Sequence, residues 1–423
     1  MHPTPLQSTA TIVLVLAVLH TFATRNIQHF SHRFPKDSPW RQFFHLLGEV
    51  ELVFGLWAGV LIALICLFGS VKEAIAYIVN LNFREPFFVF VIMAVAATRP
   101  IIHYAERIIL IVSWLLPLGR AQSAFVSCLT TGPVLGSFIT EPAAMTVTAL
   151  ILRDRYFGAG ISDQFKYVVL ATLLVNISIG GVLTPFAAPP VLMVAGKWNW
   201  DLAYMMTTFG WKSVVAIVVN AALALLLLRT ELMALPAAGT DATKRHVPRW
   251  ISMIHVLLLG LIVLAAHDPL ILSVIFLSFL GIVTATKTYQ DALKLRESSF
   301  VAVFLGGLVV IGGLQDWWLG PLIRDMNHFP LFVGATILTA FTDNAALTYL
   351  GAQIEGVSES FKFALVAGAI AGGGLTVIAN APNPAAFAIL QERFGADGIS
   401  AFQLAYSALI PTVVSMMCLW FLP

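Results

Sequence analysis

The chain has 423 residues, of which 59% are hydrophobic and only 11% charged, with a mean hydropathy of +0.87 and a formal net charge of +2. A chain of this kind has lipid for most of its solvent, so the composition describes an integral membrane protein and excludes a soluble globular one. The near-neutral charge gives no reason to expect a nucleic-acid partner.

Many apolar runs reach the roughly 20 residues that span hydrocarbon as a helix, and the alternating ten-residue segments of a β-barrel are missing, so the spans are predicted to be helical. In chain order they fall at about 8–24, 46–69, 85–99, 162–196, 208–229, 250–267, 269–286, 299–315, 361–396 and 400–422. The first of these has no basic residue before it and a basic stretch after it, which fits a retained helix better than a cleaved signal. Two further apolar segments, 122–152 and 329–354, carry Gly, Pro and polar interruptions at mid-length, as expected of re-entrant hairpins that enter and leave on one side. Cys66, Cys128 and Cys418 all lie in apolar runs without metal-site spacing and read as small hydrophobes.

On this map only Lys72, Arg84, Lys197, Lys212, Arg324 and Lys362 of the 24 Lys and Arg fall on one face. The other face, with Arg25, Arg99, Lys244, Arg245, Lys294 and Arg296 among its residues, is therefore predicted to be cytoplasmic and both termini external. The first hairpin then enters from the cytoplasmic side and the second from the outer side. Residues 230–248, with Pro, Ala, Gly and a basic cluster, read as a cytoplasmic linker between two halves of opposite orientation.

Internal repetition supports the two halves. The hairpins carry TEPAAMT at 140–146 and TDNAALT at 342–348, each with a carboxylate at its second position: Glu141 and Asp343. A second element follows in each half, NISIGGVLTPFAAPP at 176–190 and AIAGGGLTVIANAPNP at 369–384, pairing Thr184 with Thr376. Gly allows close helix packing and Pro interrupts helical hydrogen bonding, so this second element predicts one broken helix per half. Four interruptions in the same order, in halves of opposite orientation, are the sequence pattern of an inverted-repeat transporter with its site at the repeat interface.

The residue types at that interface suit a small hard cation. Charged groups inside lipid are costly and are kept for function. Asp343 and Glu141 are joined by the hydroxyls of Thr140, Thr184, Thr342 and Thr376 and by the amides of Asn344, Asn380 and Asn383, an oxygen-rich set matched to sodium or lithium. Desolvation disfavours a charged carboxylate, so one carboxylate can exchange a proton for a cation, which is the chemistry of antiport. Asp343, with Asn344 and Asn380 nearby, is the first choice for the sodium ligand set, and Glu141 the second. His20, Glu49 and Glu51, near the cytoplasmic ends of the first two helices, are candidates for a proton path. Arg99 ends a span and could neutralise Glu141 or equally set topology or snorkel to the interface, while His103 and Glu106 fall on an interfacial segment. No HExxH, GxSG or GxGD pattern of an intramembrane enzyme occurs, so an enzyme is not expected.

On the strength of GSFITEPAAMT, AFTDNAALTYLGAQ and IANAPNPAAFAIL, the chain resembles the bacterial putative Na+/H+ antiporter family within the ion transporter superfamily, over nearly its whole length. That superfamily also holds sodium-coupled dicarboxylate and citrate symporters and arsenite exporters. The resemblance implies about ten spanning helices with two re-entrant hairpins and two broken helices. It also implies a scaffold (1–84 and 249–298) carrying the repeats (85–229 and 299–423), and a homodimer in the bacterial inner membrane that moves its substrate by an elevator motion. No cofactor is expected beyond the transported sodium or lithium and protons. The Ser-Asn-Thr hairpin tips of carboxylate symporters are replaced here by Thr-Glu-Pro and Thr-Asp-Asn, which argues against a carboxylate substrate. Sodium-coupled uptake of a small organic anion is the alternative, and a passive channel the more remote one.

Overall fold

The computed structural model describes residues 3–158, 160–235, 247–266, 268–395 and 398–423. Among the described residues the only regular structure is helical. Most of the predicted linker, 236–246 with Lys244 and Arg245, lies outside them, as does the side chain of Arg25.

The chain opens with α1 (Pro5–Ser31), started by a Thr4–Gln7 capping box, and α2 (Pro39–Leu47), an amphipathic helix with no buried residue. Gly48 ends α2 and Glu49 takes extended backbone, so the span predicted from residue 46 begins later, as α3 (Val50–Phe68). A helix not anticipated from the sequence, α4 (Val71–Val79), meets α5 (Arg84–Ala96) at a bend of 63°. The segment read as interfacial forms α6 (Arg99–Leu115). The first interrupted segment gives α7 (Arg120–Ile139) and α8 (Glu141–Tyr156).

The span predicted at 162–196 is broken into α9 (Asp163–Gly180), a short 3₁₀ turn and α10 (Pro189–Trp198). After these come α11 (Leu202–Met205), a π-helical turn at Met206–Gly210, and α12 (Trp211–Ala234). Beyond the undescribed stretch lie α13 (Arg249–Leu264), α14 (Pro269–Ala285) and α15 (Leu295–Gly312). The second half continues with α16 (Asp316–Ile323), α17 (His328–Thr339), α18 (Asn344–Ala352), α19 (Glu359–Gly372), α20 (Asn383–Leu390) and α21 (Ala401–Phe421).

Among the described residues six helices are long and apolar enough to cross a bilayer, or seven if the bent α4–α5 pair is one broken span. The ten predicted spans thus include shorter pieces. α13 and α14 have 16 and 17 residues, because Asp268 caps and Pro269 starts a new helix where one could have run on.

Packing sorts the helices into two groups. α15 lies against both α3 and α5, with α1 on α3 and α13 and α14 on α5. In the second group α7 packs on α8, α9 and α12, and α17 on α19, while α9 and α12 share contacts with α21. The halves are exchanged at the centre: α10 packs on α18, and α20 on α8. Each hairpin's second arm therefore faces the distal piece of the other half's broken helix.

Candidate functional site

In the first hairpin Thr140 alone joins α7 to α8. Its backbone is at φ 73°, ψ 149°, a conformation unfavourable for a β-branched residue and found where surrounding structure enforces it. The sharp reversal leaves Glu141 and Pro142 in the first turn of α8, where Pro gives up no needed donor. Glu141 is wholly buried: its Oε2 accepts from Asn380 Nδ2 at 2.9 Å, and its Oε1 has no protein partner. The buried Thr140 hydroxyl has none either. Gly181 faces this carboxyl so closely that a Cβ there would sit 2.9 Å from Glu141 Cδ.

The second hairpin turns more gradually. Asp343 is the N-cap of α18, its Oδ1 accepting from the Ala345 and Ala346 N–H groups at 2.8 and 3.3 Å. Half-buried Thr342 precedes it in the turn. Asn344 follows, fully buried, and its N–H donates to Ala379 O at 3.0 Å, tying the hairpin to the break in the second broken helix. Both polar atoms of the Asn344 side chain lack protein partners, as do the Oδ1 atoms of Asn380 and Asn383.

The two matched threonines hold equivalent places. Thr184 Oγ1 donates to Ser137 O at 2.7 Å and Thr376 Oγ1 to Ala340 O at 2.9 Å, so each hydroxyl latches a helix break to the end of its own hairpin's first arm. Their protons are committed to structure, leaving only oxygen lone pairs for an ion. Ser137, which the motif comparison did not single out, completes the first latch: its hydroxyl donates to Gly180 O and accepts from Leu183 N–H. Asn383 Nδ2 secures the second break through Gly373 O and Thr376 O, both at 2.8 Å. The broken helices are also joined where they cross, by Ser178 Oγ donating to Ile370 O at 2.7 Å. A buried amide network missed at the sequence level supports them, with Asn220 Nδ2 donating to Asn176 Oδ1 at 2.9 Å and Asn176 Nδ2 to Leu129 O at 2.8 Å.

A cavity of about 260 Å³ reaches Asp343 and Asn380 and is walled by Glu49, Glu51, Val301 and Phe304 among others. A neighbouring cavity of about 370 Å³ shares Glu49, Glu51, Val301, Ala381 and Pro384, reaches Thr140 and Pro142, and is bordered by Lys294, Arg296 and Glu297. Glu49 and Glu51 thus share a wall with the hairpin tips. Glu49 is held at the rim by Arg296 (3.2 Å) and His45 (3.3 Å).

His20 lines neither cavity. Its Nδ1 accepts from Trp57 Nε1–H at 3.1 Å, so Nε2 carries the proton and donates to Leu47 O at 2.8 Å. Arg99 pairs with Asp291 rather than with Glu141. His103 and Glu106 belong to α6 and line neither cavity. Among the described residues no three His, Cys, Asp or Glu side chains are grouped as a metal-ion site.

A polytopic helical protein with one buried and one half-buried carboxylate at interrupted hairpins, approached by a cavity, has the build of a membrane ion transporter. Residues 5–422 match the model of the family described as Putative Na+/H+ antiporter, and the chain belongs to that family. A comparison with curated proteins gives no match.

Proposed function

We propose that the protein exchanges a small monovalent cation, sodium or lithium, for protons at the meeting point of its two hairpins and two broken helices. The observation that carries this reading is the set of buried, unpartnered oxygens there: Glu141 Oε1, Thr140 Oγ1 and the Oδ1 atoms of Asn344, Asn380 and Asn383. Buried polar atoms are almost always satisfied, and five orphan acceptors around two carboxylates are what a hard cation would satisfy. Asp343 is the primary exchange group, because it borders the cavity and Glu141 does not. A buried carboxylate is tolerable once a proton or a cation neutralises it, so the two substrates compete for one site and coupling needs no further device.

The exchanged packing of α10 on α18 and α20 on α8 supports an inverted repeat, with 85–229 and 299–423 as the paired units. With the charge distribution, it supports an inner-membrane protein with both termini external and the Glu49 cavity open to the cytoplasm. A homodimer built on the 1–84 and 249–298 scaffold completes the proposal. The test uses inside-out vesicles with an internal pH dye: sodium or lithium should dissipate an imposed acid interior where potassium does not. Failure of every monovalent cation to do so would overturn the reading.

A further inference from the structure

A third repeated element appears once the cavities are compared. α5 begins REPFFVFV at Arg84–Val91 and α15 carries RESSFVAV at Arg296–Val303, so Arg, Glu, Phe, Val and Val recur at an offset of 212 residues, 296 minus 84. Both copies border cavities. Arg296, Glu297, Phe300 and Val301 line the one at Thr140; Arg84, Glu85 and Phe88 line another, of about 460 Å³, elsewhere in the molecule.

The facing walls correspond as well. Pro185, Phe186 and Leu192 line the Arg84 cavity, and their partners at the offset of 192, Val377, Ile378 and Pro384, line the cavity at Asp343. Gly196 and its partner Ala388 complete the match. Two surfaces built at equivalent positions, in halves read as oppositely oriented, should open on opposite membrane faces.

The cavities differ in lining. The Glu49 side includes Asp343 and Thr140, whereas the Arg84 side includes Pro185 and Phe186 and neither carboxylate. Its charged lining, Glu85 and Asp201 against Arg84, is net acidic, as suits an approach for cations.

We propose that the Arg84 cavity is the ion vestibule of the membrane face opposite the Glu49 cavity. Phe186, the counterpart of Ile378, is the apolar plug that closes this vestibule from the carboxylates while the Glu49 side is open. What passes through the vestibule rests on the exchange reading; its location and its plug do not.

The experiment reads sidedness. The variants Glu85→Cys and Glu297→Cys, with Arg84→Cys and Arg296→Cys as a second matched pair, are treated with a charged, membrane-impermeant thiol reagent in right-side-out and in inside-out vesicles. The parent chain serves as background for Cys66, Cys128 and Cys418, and labelling after unfolding in detergent confirms that each new thiol is present. The expected result is that each pair splits, the α5 member reacting from one face only and the α15 member from the other only. Phe186→Cys should react only from the face that labels Glu85→Cys, and faster when an ion gradient drives the chain toward that opening. Reaction of both members of a pair from one face, silence of the α5 thiols from both faces, or reaction of Phe186→Cys from the Glu297 face would overturn the proposal. The sidedness of labelling does not depend on which ion is exchanged, so a failure of sodium/proton exchange would leave that result interpretable.

Discussion

Asp343 has two tasks that a single pair of substitutions can separate. Its Oδ1 caps α18 by accepting from Ala345 and Ala346 N–H, and its charge is the proposed exchange group. Asn caps a helix about as well as Asp, whereas Ala forfeits the cap at a cost of ~1 kcal/mol. For a chain of this length that corresponds to a thermal midpoint lower by about 1–2 °C. Asp343→Asn is therefore expected to keep the midpoint of the parent, and Asp343→Ala to show the deficit. Neither can trade a proton for a cation, so sodium-driven dye recovery in inside-out vesicles should fall, for both, to the level of protein-free vesicles. Sodium-dependent proton flux surviving in Asp343→Asn would refute Asp343 as the exchange group. A midpoint for Asp343→Asn as low as that of Asp343→Ala would refute the capping argument.

Three other outcomes follow from named contacts. Asn380→Leu removes the amide that donates to Glu141 Oε2 and is expected to cost ~1–3 kcal/mol, read as a lower thermal midpoint, together with loss of exchange. Thr184→Val and Thr376→Val each delete one latch while keeping shape, so each should lower stability by ~1 kcal/mol and leave the sodium concentration for half-maximal exchange unchanged; a shifted sodium dependence would return these hydroxyls to the ion. Asp291→Ala breaks the pair with Arg99 at an exposed site, a change worth at most ~1 kcal/mol, and exchange in vesicles should persist.

The sequence carried the broad plan because lipid imposes it. Apolar length marked α1, α3, α9, α12, α15 and α21, and Gly and Pro marked the breaks at 181–188 and 373–382, since backbone irregularity inside a membrane has few permitted causes. Short helices escaped: α4 and α16 hold nine and eight residues, below any spanning window, and the Gly48–Glu49 break leaves hydropathy almost untouched. Within the site, residue type identified the oxygen donors but could not show which were already engaged. Thr184 and Thr376 read as ion ligands because a hydroxyl is a ligand on paper, and only the geometry shows each one donating to a carbonyl. Arg99 illustrates the same limit, because its pairing with Asp291 spans 192 residues that no local pattern connects. The third repeat was hidden by its offset of 212 residues, which differs from the 202 and 192 of the others, and became visible through the walls it builds.

The crossing of the two broken helices bears on how fast such a protein can work. Ser178 donates to Ile370 O, and Gly374 lies so near Val175 that no side chain fits between the backbones. On the exchange reading, helices joined in this way move as one group, and access would alternate as that group slides along α3, α5 and α15. The slowest step then belongs to that seam and to the acyl chains around it. Turnover in reconstituted bilayers of graded chain length should pass through a maximum at the thickness that matches both groups, as hydrophobic mismatch penalises either extreme.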